Sequence, residues 1–301
     1  MNTRFLDQIQ QPEILILDGA MGTELTRRGI ELKLPLWSAS AVRSYPETVR
    51  QIHLDYLTCG AEIITTTTFR TESYTFTKAG LNELAAKEAC YQAVALAHDA
   101  IQIYHPSKPK YIAGSIAPLE DCYHPELAPD EKTIWRYQEQ RTQWLSASGV
   151  DLLLLETLNN FPEIKITTQL ALMTKLPVIV SCLIRNSDQL FDGTPIDEVL
   201  SFLHNSGVTA IGINCVHHSL ITAFLEKYKG KIATPLIAYP NADYYSAGQW
   251  ITDSNFTPSS FADIACKWPS AGVKIIGGCC GTNPTHIAEL SRRLSHQTGL
   301  D

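Results

Sequence analysis

The chain has 301 residues and a mass of 33.4 kDa, and its 45% hydrophobic content is enough to bury one large core or two modest ones. Its 24 Lys and Arg against 31 Asp and Glu leave a net charge of −7 with no basic cluster, which argues against nucleic acid as a partner. No apolar run is long enough for a signal peptide or a membrane span, so a soluble, cytoplasmic protein with no membrane partner is expected, its eight irregularly spaced cysteines reduced.

Strand-like runs and helix-like periods alternate from end to end. The strand candidates are EILIL (13–17), EIITTT (62–67), YIAGS (111–115), DLLLL (151–155), VIVSC (178–182), AIGIN (210–214), PLIAY (235–239) and VKIIG (273–277). They are continuous apolar or β-branched runs rather than alternations, as parallel strands covered by helices require. Between them the 3.6-residue period recurs. Val49, Ile52, His53, Tyr56 and Leu57 form one stripe between Pro46 and Gly60, and Ile196, Val199, Leu200 and Leu203 another between Thr194-Pro195 and Gly207. Phe261, Ile264, Ala265 and Trp268 follow Thr257-Pro258, and Ile287, Leu290, Ser291 and Leu294 follow Asn283-Pro284. Cys59, Cys90, Cys182 and Cys266 sit in such patterns and read as small core residues.

Eight strand-then-helix units point to a (β/α)8 TIM barrel forming a single domain over residues 1–301. The competing doubly wound sheet lacks its glycine fingerprint after the first strand. Connections from helix to strand are short, whereas those from strand to helix are long after strands one (19–45), three (116–130), five (183–194) and seven (240–256). The elaborated loops therefore gather at the C-terminal ends of the strands, where barrel enzymes keep their chemistry.

In that register GINC places Cys215 after strand six, and GGCCGT places Cys279 and Cys280 after strand eight, on the same face. Three converging thiolates hold Zn²⁺ in three tetrahedral positions and leave the fourth open. Glycines at 277, 278 and 281 are expected to let the chain turn so that both neighbouring cysteines face one ion. The bland reading is three more buried small residues. A trithiolate site acidifies water poorly but suits a thiol as fourth ligand, so thiol alkylation fits better than hydrolysis.

LDGAMGTEL (17–25), GINC (212–215) and GGCCGT (277–282) resemble the homocysteine S-methyltransferase family, and the similarity runs over essentially the whole chain. The resemblance implies zinc-dependent methyl transfer to homocysteine, giving methionine, with Cys215, Cys279 and Cys280 as the zinc ligands. It also implies that Asp18 and Glu156, at the ends of strands one and four, grip the substrate ammonium, and that backbone amides at Gly19 and Ala20 take its carboxylate. Ala20 stands where many relatives have glycine. Alternatively Asp18 caps a turn and Glu156 starts a helix, or the two act as an acid–base dyad.

Further substrate-binding candidates are Thr67, Phe69, Ser115 and Asn214, the last beside Cys215. His217 and His218 read as the start of a solvated helix. For the methyl donor the loops offer Trp37, Tyr244, Tyr245 and Trp250 as aromatic faces for a cation. The lack of the added arm or domains of betaine- and folate-using relatives favours a small sulfonium, S-methylmethionine or S-adenosylmethionine. The segment IAPLEDCYHPELAP (116–129) departs from the Tyr-Gly-rich stretch of S-methylmethionine enzymes, and Glu120 and Cys122 within it are candidates for reshaping the donor pocket. Other readings stay open at this point: a methyltransferase using betaine or another donor, a thiol- or zinc-binding barrel subunit with no donor site, and a redox protein with Cys279 and Cys280 as its dithiol.

Overall fold

In the computed structural model, which describes residues 3–246 and 249–297, all eight runs form strands. They are β1 (Leu15–Ile16), β2 (Ile63–Thr65), β3 (Tyr111–Ile116), β4 (Leu152–Leu158), β5 (Val178–Cys182), β6 (Ala210–His217), β7 (Leu236–Asn241) and β8 (Val273–Ile276). The covering helices are α1 (Pro46–Thr58), α2 (Glu83–Tyr104), α3 (Glu131–Ala147), α4 (Phe161–Met173), α5 (Ile196–Ser206), α6 (His218–Tyr228), α7 (Pro258–Ala265) and α8 (Pro284–Gln297). Each strand pairs in parallel with its neighbours in chain order, and β8 pairs with β1. A parallel bridge from Leu17 to Ile63 closes the ring, with Glu62 N donating to Ile16 O at 2.7 Å and Asp18 N to Ile63 O at 3.0 Å. The result is the expected single-domain (β/α)8 barrel.

The strands read as unbroken apolar runs because both faces are buried, yet the faces differ. Leu15, Ile63, Ala113, Leu152, Leu154, Ile179, Ala210, Ile237 and Ile275 pack together inside the barrel. The intervening Ile16, Ile64, Ile112, Leu153, Val180, Ile211, Ala238 and Ile276 pack outward among the helices. The same two-residue period carries the interior upward to Thr65, Ser115, Glu156, Ser181, Asn214 and Tyr239, so the last inward layer is polar.

A helix over Thr3–Ile9, not anticipated from sequence, inserts Phe5 and Ile9 into the opposite end of the barrel. Phe5 meets Tyr111, the first residue of β3, edge to face at 5.2 Å. Helix starts follow local chemistry: Asn82, Asp130 and Asn160 cap α2, α3 and α4, and Thr257 with Ser260 forms a capping box on α7. Helix α7 ends at Ala265, and Trp268, expected on that helix, opens a 3₁₀ turn over Trp268–Ala271 behind the Lys267 junction. Two antiparallel hairpins also decorate the long loops, Ile184–Asn186 with Gln189–Leu190 and Asp243–Ser246 with Gln249–Thr252. No helix among the described residues is long and apolar enough to cross a membrane.

Candidate active site

A cavity of about 520 Å³ opens above the polar layer, at the C-terminal ends of the strands. Its lining includes Asp18, Gly19, Ala20, Thr67, Phe69, Ser115, Glu156, Cys215, Cys279 and Cys280, so ten of the eleven expected site residues meet there. Asn214 does not line it. That residue is fully buried below, where its amide oxygen accepts from Thr157 N at 3.0 Å and Ser181 Oγ at 2.7 Å.

The three cysteine sulfurs lie within 4.8 Å of one another, with Cys215 Sγ 4.0 Å from Cys280 Sγ. A tetrahedral ion with about 2.3 Å metal–sulfur bonds spaces its ligands about 3.8 Å apart, so the donor set fits one ion. By strand parity Cys215 would face outward. A register shift between Asn214 and His217, with φ of 58° at Cys215 itself, turns its thiol to the cavity. Asn241 Nδ2 holds that conformation by donating to Cys215 O at 2.9 Å.

The GGCCGT turn is tied to its neighbours by backbone bonds from Gly278 N to Asp18 O (3.0 Å), Cys279 N to Pro240 O (2.8 Å) and Ala242 N to Cys280 O (2.8 Å). Two of its three glycines serve a different purpose from the one expected. Only Gly281 has positive φ, at 82°; Gly277 and Gly278 are needed because a Cβ would lie 2.6 Å from Leu17 Cβ and 2.3 Å from Thr282 Oγ1. Thiol hydrogen bonds from Cys279 and Cys280 hold Cys215 well below the usual thiol range, while the same contacts and burial push Cys279 and Cys280 up. Three thiols at this spacing, one buried and two half-buried, cannot all ionise without a cation among them.

Asp18, 3% exposed, accepts from Thr65 N at 2.7 Å and from Thr65 Oγ1 at 2.9 Å. Glu156, 8% exposed, accepts from Ser115 Oγ. Burial raises Asp18 to about 8 and Glu156 to about 7. Neither carboxyl forms a salt bridge among the described residues, so the pair suits a cation brought by a ligand. Ala20 N donates to Thr282 Oγ1 over 3.3 Å, a weak bond that a carboxylate could replace. The hydroxyls of Thr67 and Thr157 are buried at the cavity without a hydrogen-bond partner among the described residues, which suits them to a ligand contact.

The loops supply residues that sequence reasoning missed. Tyr123 reaches over from the loop after β3, its hydroxyl donating to Cys215 O at 3.0 Å and lying 3.2 Å from Cys215 Sγ. Asp121 lines the cavity with it, as does Cys122, one of the two expected donor-pocket residues of this loop; the other, Glu120, turns away to accept from Tyr74 Oη at 2.6 Å and Lys78. Arg70 ties the loops after β2 and β3 together through the carbonyls of Pro118, Leu119 and Glu120. Behind them the fully buried Arg141 pairs with Glu72 at 3.1 Å and bonds the carbonyls of Phe69 and Ala117. Trp37 packs edge to face on Phe69 at 5.6 Å across the cavity wall. The side chains of Tyr244, Tyr245 and Trp250 lie outside the described residues.

The sequence family described as homocysteine S-methyltransferase matches residues 15–294. The chain belongs to the homocysteine S-methyltransferase family. It is 35% identical over 302 residues to the homocysteine S-methyltransferase of Escherichia coli strain K12, covering 95% of this chain and 96% of that one. To the homocysteine S-methyltransferase YbgG of Bacillus subtilis strain 168 it is 30% identical, covering 92% and 93%. The solved structure of the homocysteine methyltransferase MmuM from Escherichia coli in its metallated form superposes with a TM-score of 0.84 at 34% identity, covering 96% of this chain and 98% of that one.

Proposed function

We propose that the protein binds homocysteine as a thiolate on Zn²⁺ held by Cys215, Cys279 and Cys280, and methylates it from a small sulfonium, S-methylmethionine or S-adenosylmethionine. Formation of methionine from homocysteine is the reaction of the family; the metal, the donor and the residue roles are our reading. The observation that carries it is the convergence of three sulfurs from two distant segments on one point of a cavity that also holds two carboxyls with no salt bridge among the described residues. Soft thiolates select zinc over magnesium or calcium, and zinc when bound keeps an acceptor thiol ionised below its usual pKa of ~8.5.

The protein's own groups do the rest. Asp18 and Glu156 receive the substrate ammonium, oriented for it by Thr65 and Ser115. The backbone at Gly19 and Ala20 receives the carboxylate, and Thr67 and Phe69 wall the same space. Asn214 supports the site from below through Thr157 N. Trp37, Phe69 and Asp121 line the loop side of the cavity, giving a sulfonium aromatic rings and a carboxylate. The acceptor sulfur then attacks the methyl carbon in line; one C–S bond forms as the other breaks, and the electron pair leaves on the donor sulfur, which departs neutral. No proton moves in that step, so an acid–base dyad has no part in it.

Eight free thiols fit a reducing compartment, so a cytoplasmic location is part of the proposal, as is residues 1–301 acting as one homocysteine-binding domain. Incubating zinc-loaded protein with homocysteine and, in turn, S-methylmethionine, S-adenosylmethionine, betaine and methylfolate tests the reading by the methionine formed. Methionine from a sulfonium is expected. Methionine from betaine or methylfolate alone would overturn the donor assignment, and tight homocysteine binding with no methionine from any donor would establish a binding subunit instead.

A further inference from the structure

His217 and His218 follow the strand that carries Cys215, and the structure brings Asp253 to them from beyond the 243–252 hairpin. His217 Nε2 lies 3.2 Å from Asp253 Oδ2, and His218 Nε2 lies 3.8 Å from the same oxygen. All three ligand atoms fall within 4.8 Å of one another. We propose that His217, His218 and Asp253 form a second divalent transition-metal site, separate from the cysteine cluster.

Hydrogen bonding accounts for only part of this arrangement. The first separation is that of an N–H donor and a carboxylate, but the second is beyond hydrogen-bond reach. A tetrahedral ion with metal–nitrogen and metal–oxygen bonds of about 2.0–2.2 Å spaces its ligands about 3.3–3.5 Å apart, between the two observed values. One ion explains both approaches.

The surroundings aim each donor. Asp253 Oδ1 accepts from Asn255 N at 2.9 Å, which keeps the carboxylate ionised and leaves Oδ2 toward the imidazoles. The ring of His218 is stacked on Phe256 at 5.4 Å, and Phe256 on His286 at 5.8 Å. His217 Nδ1 lies 2.7 Å from Ser219 Oγ. When Nε2 takes a metal the ring proton moves to Nδ1, where that hydroxyl accepts it; the 3.3 Å cap from Ser219 N, which needs an unprotonated Nδ1, is given up. The three side chains are 26%, 20% and 16% exposed, so an aqueous ion reaches them without opening the barrel. Two imidazoles and one carboxylate select Zn²⁺, Co²⁺, Ni²⁺ or Cu²⁺ over Mg²⁺ and Ca²⁺. An ion there fastens the end of the hairpin to the start of α6.

Titration of the metal-free protein with Co²⁺ tests this, because sulfur ligation gives intense near-ultraviolet charge-transfer absorption and nitrogen–oxygen ligation does not. Two equivalents are expected in the wild type, the first with the sulfur band and the second with weak visible bands only. His218→Ala and Asp253→Asn should keep the first, which also reports that the barrel is folded, and weaken the second more than about tenfold. Cys215→Ser should do the reverse. A single equivalent in the wild type, or a second equivalent unaffected in both variants, overturns the proposal.

Discussion

The Tyr123 hydroxyl donates to the carbonyl oxygen of Cys215 and lies 3.2 Å from its sulfur, joining residues 92 positions apart. Asn241 Nδ2 completes the triangle, 2.9 Å from the same carbonyl and 3.3 Å from the hydroxyl. Tyr123→Phe keeps the ring against Phe191, 5.9 Å away, and removes only the hydroxyl. Metal affinity at the cysteine cluster should fall about tenfold, with stability lowered by only about 1 kcal/mol. Competition with a chromophoric chelator and a thermal melt measure the two; unchanged affinity would make the contact mere packing.

Cys215→Ser should abolish sulfur-bound metal and turnover together. Cys122→Ser is the informative contrast, since Cys122 lines the same cavity but does not belong to the cluster whose sulfurs lie within 4.8 Å. It should retain the metal. Metal content by mass spectrometry of the native protein separates the two outcomes.

With Asp18 at about 8 and Glu156 at about 7, the roles proposed for them should make homocysteine binding pH-dependent. Both are raised by burial, so near neutral pH the empty site holds protons that an incoming ammonium must expel. Affinity should rise from pH 6 to pH 8 with net proton release, readable by calorimetry in buffers of different ionisation enthalpy.

The same shift has a stability sign. A carboxyl whose folded pKa exceeds its unfolded value makes the native state the stronger proton binder, so stability falls as pH climbs from the ordinary carboxylate range to about 8. Asp18→Asn removes that penalty. It should raise the melting temperature of the ligand-free protein at pH 8 while abolishing homocysteine binding, whereas a lowered melting temperature would show that the Thr65 bonds outweigh burial.

Arg141→Met should be among the most damaging changes away from the cavity. It strands Glu72 in the interior and releases the Phe69 and Ala117 carbonyls. Loss of one partner of a buried pair costs about 3–5 kcal/mol. Chemical denaturation measures it, and Glu72→Gln combined with Arg141→Met should recover part of the loss.

The barrel was legible because parallel strands with two buried faces write themselves as apolar runs, and because Pro and Gly punctuate helices such as α1 and α5. The cysteine cluster was legible because strand ends share one face. What escaped lies in long-range geometry. Nothing near Arg141 in the chain names Glu72, and nothing near Tyr123 names Cys215. The inward turn of Cys215 depends on a register shift, and the need for Gly277 on the approach of Leu17 from the other end of the chain. Asp253 likewise reaches the two histidines only through a hairpin whose strands carry no strong pattern.

Phe5 and Ile9 stopper the barrel at the end away from the cysteines. Between that end and the polar layer the interior is filled by side chains, so ligands have the C-terminal mouth to themselves; on the proposed roles, an acceptor seated against the sulfurs should enter ahead of the donor, an order that product-inhibition kinetics would read.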